Sequence, residues 1–265
     1  MFGAIIGDLA GSIYEFDQIK STHPVFIDDL IEQNSFFSDD TILTIAVLDA
    51  ILSKKDYGEK LKEYGKKYEQ YKPNHKPYFA TTFSPGFSKW VNGDYIGTSS
   101  GNGAMMRIGP VGYLFDSEKD VLENARLATI PSHNDEVAIK CAQTVALIIF
   151  YFRKGYFKQE VIKKMNLEIK EPIINKFNYT CEDTLDVCLY SLFNSNSFSE
   201  SIKLAISFGG DTDTNACIVG SMAEAIYGID EKLVQRACLK LPEEFIKILD
   251  KAYHNVNKLN GVRKV

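Results

Sequence analysis

Residues 207–228 read SFGGDTDTNACIVGSMAEAIYG, and this stretch carries the clearest signal for the fold. After two glycines and an acidic start it becomes apolar with helical periodicity, which predicts a buried helix. Small residues recur on one stripe of that helix, at Ala216, Gly220 and Ala223. A second such pattern begins the chain, with Gly3, Gly7 and Gly11 at four-residue spacing. Because small side chains let another helix approach closely, both segments are predicted to pack tightly against neighbouring helices.

The rest of the chain has the same helical character. Its 265 residues are 45% hydrophobic and 25% charged, which is typical of a soluble globular protein. Helices are predicted at 39–54, 120–129, 131–155, 181–193, 198–207, 230–242 and 243–256, and loop-like segments at 17–37, 73–110 and 165–180. Ser132 and Asp135 form a cap signal for the helix within 131–155. Alternating strand patterns are scarce, so we predict a single all-α domain over residues 1–265.

Charge and cysteine content limit the possible partners and compartments. The net charge of −5 argues against general nucleic-acid binding, which needs a basic face. The five cysteines include no C-x-x-C pair, and their number is odd, so we expect buried free thiols in a reducing compartment. The start of the chain is a poor signal peptide, and no apolar run is long enough to span a bilayer. These features predict a cytoplasmic protein that does not bind membranes.

Acidic and hydroxyl residues stand at the start of two helices. Ser38, Asp39 and Asp40 precede the helix predicted at 39–54, where one such motif alone is best explained as a helix cap. The segment 207–228 repeats the pattern with Asp211, Asp213 and Thr214. If the two helices are neighbours, four carboxylates converge, and so much negative charge is stable only with cations between the groups. Oxygen ligands without histidine or cysteine favour Mg²⁺, Mn²⁺ or Ca²⁺, and four carboxylates suit two ions.

Three further features are ambiguous when each is taken alone. The segment Gly101-Asn102-Gly103 can form a backbone nest for phosphate oxygens, or a simple turn. Arg107 is a candidate phosphate partner or a member of a structural ion pair, and His133 is either an anion contact at a helix start or part of the cap. Glu15 and Asp8, near the glycine pattern at the start of the chain, are not singled out by their spacing.

Together the motifs resemble the ADP-ribosylglycohydrolase family, in which they occur in the same order: GAIIGDLAGSIYEF, SDDT, SGNGAMMR, SHND and GGDTDTNA. The resemblance covers most of the chain. It implies a compact, nearly all-α domain around a binuclear magnesium or manganese site, with two Mg²⁺ or two Mn²⁺ as cofactors. It also implies hydrolysis of the C1″ glycosidic bond between ADP-ribose and an acceptor. The expected substrates are ADP-ribosylated proteins, with arginine the first choice, or small ADP-ribose conjugates, and a monomer is usual.

The resemblance also assigns roles to residues. The implied metal ligands are Ser38, Asp39, Asp40, Asp211, Asp213 and Thr214. The implied ADP-ribose contacts are Gly101, Asn102, Gly103, Ala104, Met105, Met106, Arg107 and His133. Glu15 matches a glutamate on a mobile loop that is thought to serve in gating or catalysis. Ser38 replaces the usual threonine and keeps its hydroxyl.

A mechanism follows from these assignments as a hypothesis. Asp39 or Asp40 would orient a water molecule or take its proton, and Glu15 is the better acid/base candidate because a metal-bound carboxylate is a poor base. Two alternatives remain at this point. One is a two-metal phosphoesterase, and the other is a non-catalytic member, crystallin-like or limited to binding ADP-ribose. Serine, an acetyl group or a nucleic-acid base also remains open as the acceptor.

Overall fold

The structure is a computed structural model that describes residues 1–15, 27–72, 82–174 and 176–259. The predicted loop-like segments 17–37 and 73–110 therefore lie partly outside the described residues. Within the described ranges there are fourteen helices and no β-sheet, and the β-pairing there consists of the bridges Thr98–His133 and Gly101–Thr180. The prediction of an all-α fold is confirmed.

The helices, in chain order, are α1 (Phe2–Gly11), α2 (Asp39–Ser53), α3 (Tyr57–Lys67), α4 (Pro85–Val91), α5 (Gly103–Met106), α6 (Gly109–Leu114), α7 (Glu118–Thr129), α8 (Glu136–Arg153), α9 (Lys158–Met165), α10 (Cys181–Phe193), α11 (Phe198–Ser207), α12 (Thr212–Tyr227), α13 (Glu231–Cys238) and α14 (Glu243–Leu259). Their buried apolar side chains form one contiguous cluster that extends from α1 to α14. None of the helices in the described part of the chain is long and apolar enough to span a membrane.

The two small-residue stripes pack against each other, as α1 and α12 run antiparallel at very short distance. A Cβ atom added to Gly7 would lie 1.9 Å from the carbonyl oxygen of Ala216, and one on Gly3 would lie 2.1 Å from that of Gly220. At the other end, the Thr212 hydroxyl donates to the carbonyl of Gly11 at 2.9 Å. Only glycine permits this approach, and the contact brings the C-terminal end of α1 to the N-terminal end of α12.

Helix α2 confirms the predicted buried helix and its cap. Ser38 is the N-cap, and its hydroxyl accepts from the N–H of Asp40 at 3.2 Å. The helix is buried on nearly every side, and it ends at Lys54 in the left-handed conformation with a φ of 55°. The packing of α2 against α1 and α12 fixes the position at which the SDDT motif meets the second acidic motif.

Two predicted boundaries were wrong. Helices α4 and α5 lie inside segment 73–110, which was predicted as a loop. At α4, Ser84 and Pro85 resemble turn residues in the sequence, but they form the N-cap and the first helical residue. Helix α8 begins at Glu136 and not near Ser132. Its N-cap is Asp135, whose side chain accepts from the N–H of Ala138 at 2.9 Å. Two short helices, α6 and α9, were not predicted.

The cysteines are free, as predicted. Four of them, Cys141, Cys181, Cys188 and Cys217, are buried, and Cys238 is partly exposed.

Candidate functional site

A cavity of about 670 Å³ opens where α2 and α12 begin. It is lined by most of the residues that the sequence singles out: Glu15, Ser38, Asp39, Asp40, Gly101, Asn102, Gly103, Met106, Arg107, His133, Asp211, Asp213 and Thr214. Ala104 and Met105 do not line it, because their side chains are buried in the hydrophobic core. The structure thus brings the two acidic motifs and the GNG segment to one place.

Asp8 connects α1 to the start of α2, and it is fully buried. Its Oδ2 atom accepts hydrogen bonds from the N–H of Ser38 at 2.9 Å, the N–H of Thr41 at 3.1 Å and the hydroxyl of Thr41 at 2.5 Å. Its Oδ1 atom accepts from the Ser38 hydroxyl at 2.8 Å. A single carboxylate therefore fixes the first turn of α2, and with it the SDDT motif.

The carboxylates form two groups that share one member. Oxygen atoms of Asp8, Asp40 and Asp213 lie within 4.8 Å of one another, and so do oxygen atoms of Glu15, Asp211 and Asp213. Asp213, near the start of α12, belongs to both groups. The convergence of the SDDT and DTDT motifs, which their sequences could only suggest, is thus present in the structure. Asp39 lines the same cavity but is not part of either group.

This concentration of acids changes their protonation. Burial, and then the charges of Asp213 and Asp8, raise the pKa of Asp39 to about 8. Burial and the charge of Asp213 raise the pKa of Asp8 to about 7, although its hydrogen bonds oppose the shift. The same two causes raise the pKa of Asp40 and of Asp211 well above the usual value. Without positive charge between them, these carboxyl groups cannot all be ionised.

The site fits a divalent cation. Asp40 Oδ1 is buried and has no hydrogen-bond partner among the described residues, whereas Oδ2 accepts from the hydroxyls of Thr214 and Ser38, both at 3.1 Å. A buried carboxylate oxygen without a partner is costly, and a cation would supply one. Both groups of clustered ligands are carboxylates, without histidine or cysteine, which suits Mg²⁺ or Mn²⁺.

The GNG segment is held beside the second acidic motif. The side-chain amide of Asn102 donates to Asp211 Oδ2 at 2.7 Å, and the main-chain N–H of Asn102 donates to the carbonyl of Tyr179 at 2.8 Å. Two glycines, Gly209 and Gly210, precede Asp211 with φ of 72° and 75°. A Cβ on Gly210 would lie 2.3 Å from the carbonyl oxygen of Lys176, so these glycines let another chain segment approach. The amide of Asn102 thus supports the acidic cluster, whereas the N–H groups of Gly101 and Asn102 are already bonded, to the Ser99 hydroxyl at 3.1 Å and to Tyr179.

Arg107 and His133 form the deeper part of the cavity wall. Arg107 makes no ion pair with a carboxylate in the described part of the chain, so the structural ion pair considered from the sequence is wrong within those residues. His133 lies in the turn between α7 and α8, two residues before the N-cap Asp135. The expectation that it stands at a helix start, or forms part of the cap, was therefore wrong.

The outer wall is aromatic. Phe83, Phe87 and Trp90 form a continuous series, with ring centroids 5.1 Å and 5.3 Å apart, and Tyr95 and Tyr179 stand exposed at the rim. Glu15 is 7% exposed, lines the same cavity and belongs to the acidic group of Asp211 and Asp213. The cavity therefore combines an acidic floor with apolar flat surfaces suited to a ring system.

Asp8 is the functional residue that sequence reasoning missed. The available signal was an acidic residue inside the otherwise apolar segment GAIIGDLAG, because a buried charge requires partners. Those partners lie some 30 residues away in α2, and no local pattern identifies them.

The fold and the site together define an all-α protein whose central cavity is lined by carboxylates from three distant segments. The profile of the ADP-ribosylglycohydrolase family matches residues 1–261. The chain therefore belongs to the ADP-ribosylglycohydrolase family, and the prediction of an enzyme of this class is confirmed.

Individual relatives agree with this membership. The chain is 24% identical over 262 residues to the ADP-ribosylarginine hydrolase Tri1 of Pseudomonas putida (strain GB-1), covering 86% of this chain and 70% of that protein. It is 26% identical over 149 residues to the ADP-ribosyl-dinitrogen reductase glycohydrolase of Rhodospirillum rubrum, covering 52% of this chain and 49% of that protein. A solved ADP-ribosylglycohydrolase-related protein complex has the same fold, with a TM-score of 0.69 at 18% identity, covering 96% of this chain and 95% of that chain.

Proposed function

We propose that this protein hydrolyses the C1″ glycosidic bond between ADP-ribose and an acceptor on protein, with arginine as the preferred acceptor, and that it needs divalent cations to do so. The observation that carries the proposal is the pair of carboxylate groups sharing Asp213 at the floor of the cavity. The aromatic wall and the GNG segment beside these groups supply surfaces for a nucleotide.

The cations would be held by the two acidic motifs. The proposed ligands are Ser38, Asp39, Asp40, Asp211, Asp213 and Thr214. The two carboxylate groups meet at Asp213, and the four carboxylates among the proposed ligands suit two ions rather than one, either Mg²⁺ or Mn²⁺. When bound, the cations would supply Lewis acidity and lower the pKa of a water molecule. Asp8 is a poor candidate ligand because both of its oxygen atoms already accept hydrogen bonds from α2.

The chain's own residues would position the ADP-ribose. Gly101 and Gly103, which carry no side chain, line the cavity, and His133 lines it beside Gly103. Their place next to Asp211 supports binding of the phosphates beside the acidic floor, which leaves the distal ribose over the carboxylates. The exposed ring of Tyr95 or Tyr179 would then cover the adenine.

Glu15 is the proposed acid/base. One of its carboxylate oxygens lies within 4.8 Å of those of Asp211 and Asp213, next to the expected position of C1″. Glycoside cleavage passes through an oxocarbenium-like state, and a proton must reach the departing acceptor. We propose that Glu15 delivers that proton, whereas Asp39 or Asp40 orients the attacking water.

Arginine as the acceptor is supported by the name of the Pseudomonas putida relative, an ADP-ribosylarginine hydrolase. The test is a panel of substrates: proteins ADP-ribosylated on arginine or on serine, O-acetyl-ADP-ribose, and a generic phosphate ester. We expect ADP-ribose release to be fastest from arginine, with no hydrolysis of the phosphate ester. Faster release from serine would reject the acceptor assignment alone, and hydrolysis of only the phosphate ester would reject the reaction.

A further inference from the structure

Arg107 is a buried cation with an unusual set of partners. It is fully buried, and its Nε and Nη1 atoms have no hydrogen-bond partner among the described residues. Its Nη2 atom donates to the hydroxyl of Ser132 at 2.7 Å and to the carbonyl of Ala128 at 3.4 Å. His133 Nδ1 lies 3.5 Å from Nη2, whereas Asp39 acts on the guanidinium through its charge without forming a salt bridge with it in the described part of the chain. The guanidinium is therefore directed at a serine–histidine pair and not at an acid.

The direction of the hydrogen bonds around Ser132 follows from what each group can do. A guanidinium can only donate, so the Ser132 oxygen accepts from Arg107. The hydroxyl then has one proton to give, and His133 Nδ1 lies 2.8 Å away. If Nδ1 carried the proton, that proton would face the guanidinium nitrogen 3.5 Å away, and the buried Ser132 hydroxyl would have no acceptor for its own proton within the described residues. Nδ1 is thus the acceptor.

The ring is also held neutral. Burial, and then the positive charge of Arg107, lower the pKa of His133 well below its usual value. A neutral imidazole that accepts at Nδ1 carries its proton on Nε2. Nε2 forms no hydrogen bond within the described residues. A Cβ on Gly103 would lie 3.3 Å from it, so this donor stands against the GNG segment at the cavity wall.

We infer that Arg107 and Ser132 hold His133 as the neutral Nε2–H tautomer, so that the ring offers a single N–H donor to a phosphate oxygen of ADP-ribose beside Gly103. Arg107 and Ser132 are positioning residues in this account. The identity of the acceptor oxygen rests on the proposed function, whereas the tautomer does not.

The tautomer is measured directly by nitrogen NMR of the full-length protein with labelled histidine, at neutral pH and without ligand. The His133→Gln variant assigns the signal. We expect a neutral ring with its proton on Nε2. A ring with its proton on Nδ1, or a doubly protonated ring, would overturn the inference.

Variants test what holds the tautomer. Arg107→Met removes the positive charge that opposes an Nδ1–H group, so the Ser132 hydroxyl can either donate to Nδ1 or accept from it, and the spectrum should show a mixture of tautomers. Arg126→Met, an exposed arginine on α7, is the matched control and should leave the His133 signal unchanged. If Arg107→Met keeps a helical spectrum and a cooperative melt, yet its tautomer stays pure, Arg107 is not the determinant. If that variant does not fold, Ser132→Ala tests the hydrogen-bond chain from Arg107 through Ser132 to His133, since loss of the hydroxyl should shift the Nδ1 signal.

Calorimetric titration with ADP-ribose in the presence of a chelator tests the contact itself. We expect His133→Asn to weaken binding about tenfold to a hundredfold. His133→Gln should lose less, because its amide can reach the position of Nε2. Equal losses in both variants would reject the donor role. If the wild-type protein binds no ADP-ribose while NMR shows the Nε2–H tautomer, the proposed function is rejected, whereas the assignment of the tautomer is retained.

Discussion

Asp8 binds Ser38 with both of its carboxylate oxygens: Oδ2 accepts from the main-chain N–H at 2.9 Å, and Oδ1 accepts from the hydroxyl at 2.8 Å. This pair joins the end of the glycine-lined helix α1 to the first residue of the SDDT motif. The position of the acidic floor of the cavity therefore depends on a residue that is itself a poor candidate for binding a cation.

Replacing Asp8 by alanine should strongly destabilise the protein. The change leaves three donors, the N–H groups of Ser38 and Thr41 and the Thr41 hydroxyl, without partners, and we expect a loss of about 3 kcal/mol or more in the free energy of unfolding. Asp8→Asn retains an acceptor oxygen and should lose much less. Denaturant unfolding in the presence of a chelator measures both. Asp29→Ala, which removes a surface pair with Arg236, is the control and should cost at most about 1 kcal/mol. An Asp8→Ala variant as stable as this control would refute the role of Asp8.

Asp40→Asn should have opposite effects on stability and on cation binding. Burial, and then the charges of Asp213 and Asp8, raise the pKa of Asp40, so folding of the metal-free protein must protonate it; asparagine removes that cost, and the melting temperature should rise by about 2–4 °C. Added Mg²⁺ or Mn²⁺ should stabilise the wild-type protein but not the variant. Thermal melts with chelator and with each cation give both quantities. A variant that is stabilised by the cations as much as the wild-type protein would show that Asp40 is not a ligand.

The metal-free protein should lose stability as the pH rises. The pKa values of Asp39 and Asp8 are raised to about 8 and about 7, whereas an unfolded aspartate has a pKa of about 3.9. At pH values between the unfolded and the folded pKa values, the folded state binds more protons than the unfolded state, so the free energy of unfolding falls as pH increases. Denaturation in chelator from pH 5 to pH 8.5 should show this slope, and saturating Mg²⁺ should reduce it. A stability that rises over this range would contradict the electrostatic description of the site.

Gly7→Ala should separate α1 from α12. The new methyl group would overlap the carbonyl oxygen of Ala216, 1.9 Å away, and neither backbone can yield without moving its helix. We expect a loss of about 2–3 kcal/mol in unfolding free energy. Gly86→Ala is the control because a Cβ there meets nothing within 4 Å, and it should be neutral or stabilising by up to about 1 kcal/mol. Equal stabilities of the two variants would mean that the close packing is not required.

The sequence predicted features that depend on local pattern. The small-residue stripes predicted close helix packing. The repeated acid–hydroxyl pattern at two helix starts predicted that carboxylates from both helices meet at one site. For Arg107 and His133 spacing left two alternatives each, and the family resemblance added an expected contact with ADP-ribose, which remains a prediction. That residues 1–265 form one domain, that the protein is a monomer, and that it is cytoplasmic remain predictions.

The features that were missed depend on contacts between distant residues. Ser132 resembled a cap, but Asp135 competes for the same helix start, and the Ser132 hydroxyl is bound by Arg107, 25 residues earlier. Asp8 resembled a helix-end acid because its partners lie in α2. In each case the tertiary partner decides the role, and a one-dimensional pattern does not contain it.

The most direct test of the central claim is the initial rate of ADP-ribose release from an arginine-ADP-ribosylated protein. The enzyme is first stripped with chelator, and Mg²⁺ or Mn²⁺ is then added back. We predict no release without cations, recovery with either ion, and a rate at least about a hundredfold lower in Asp213→Asn, which alters the residue shared by both carboxylate groups. Release that survives both chelation and Asp213→Asn would contradict the account.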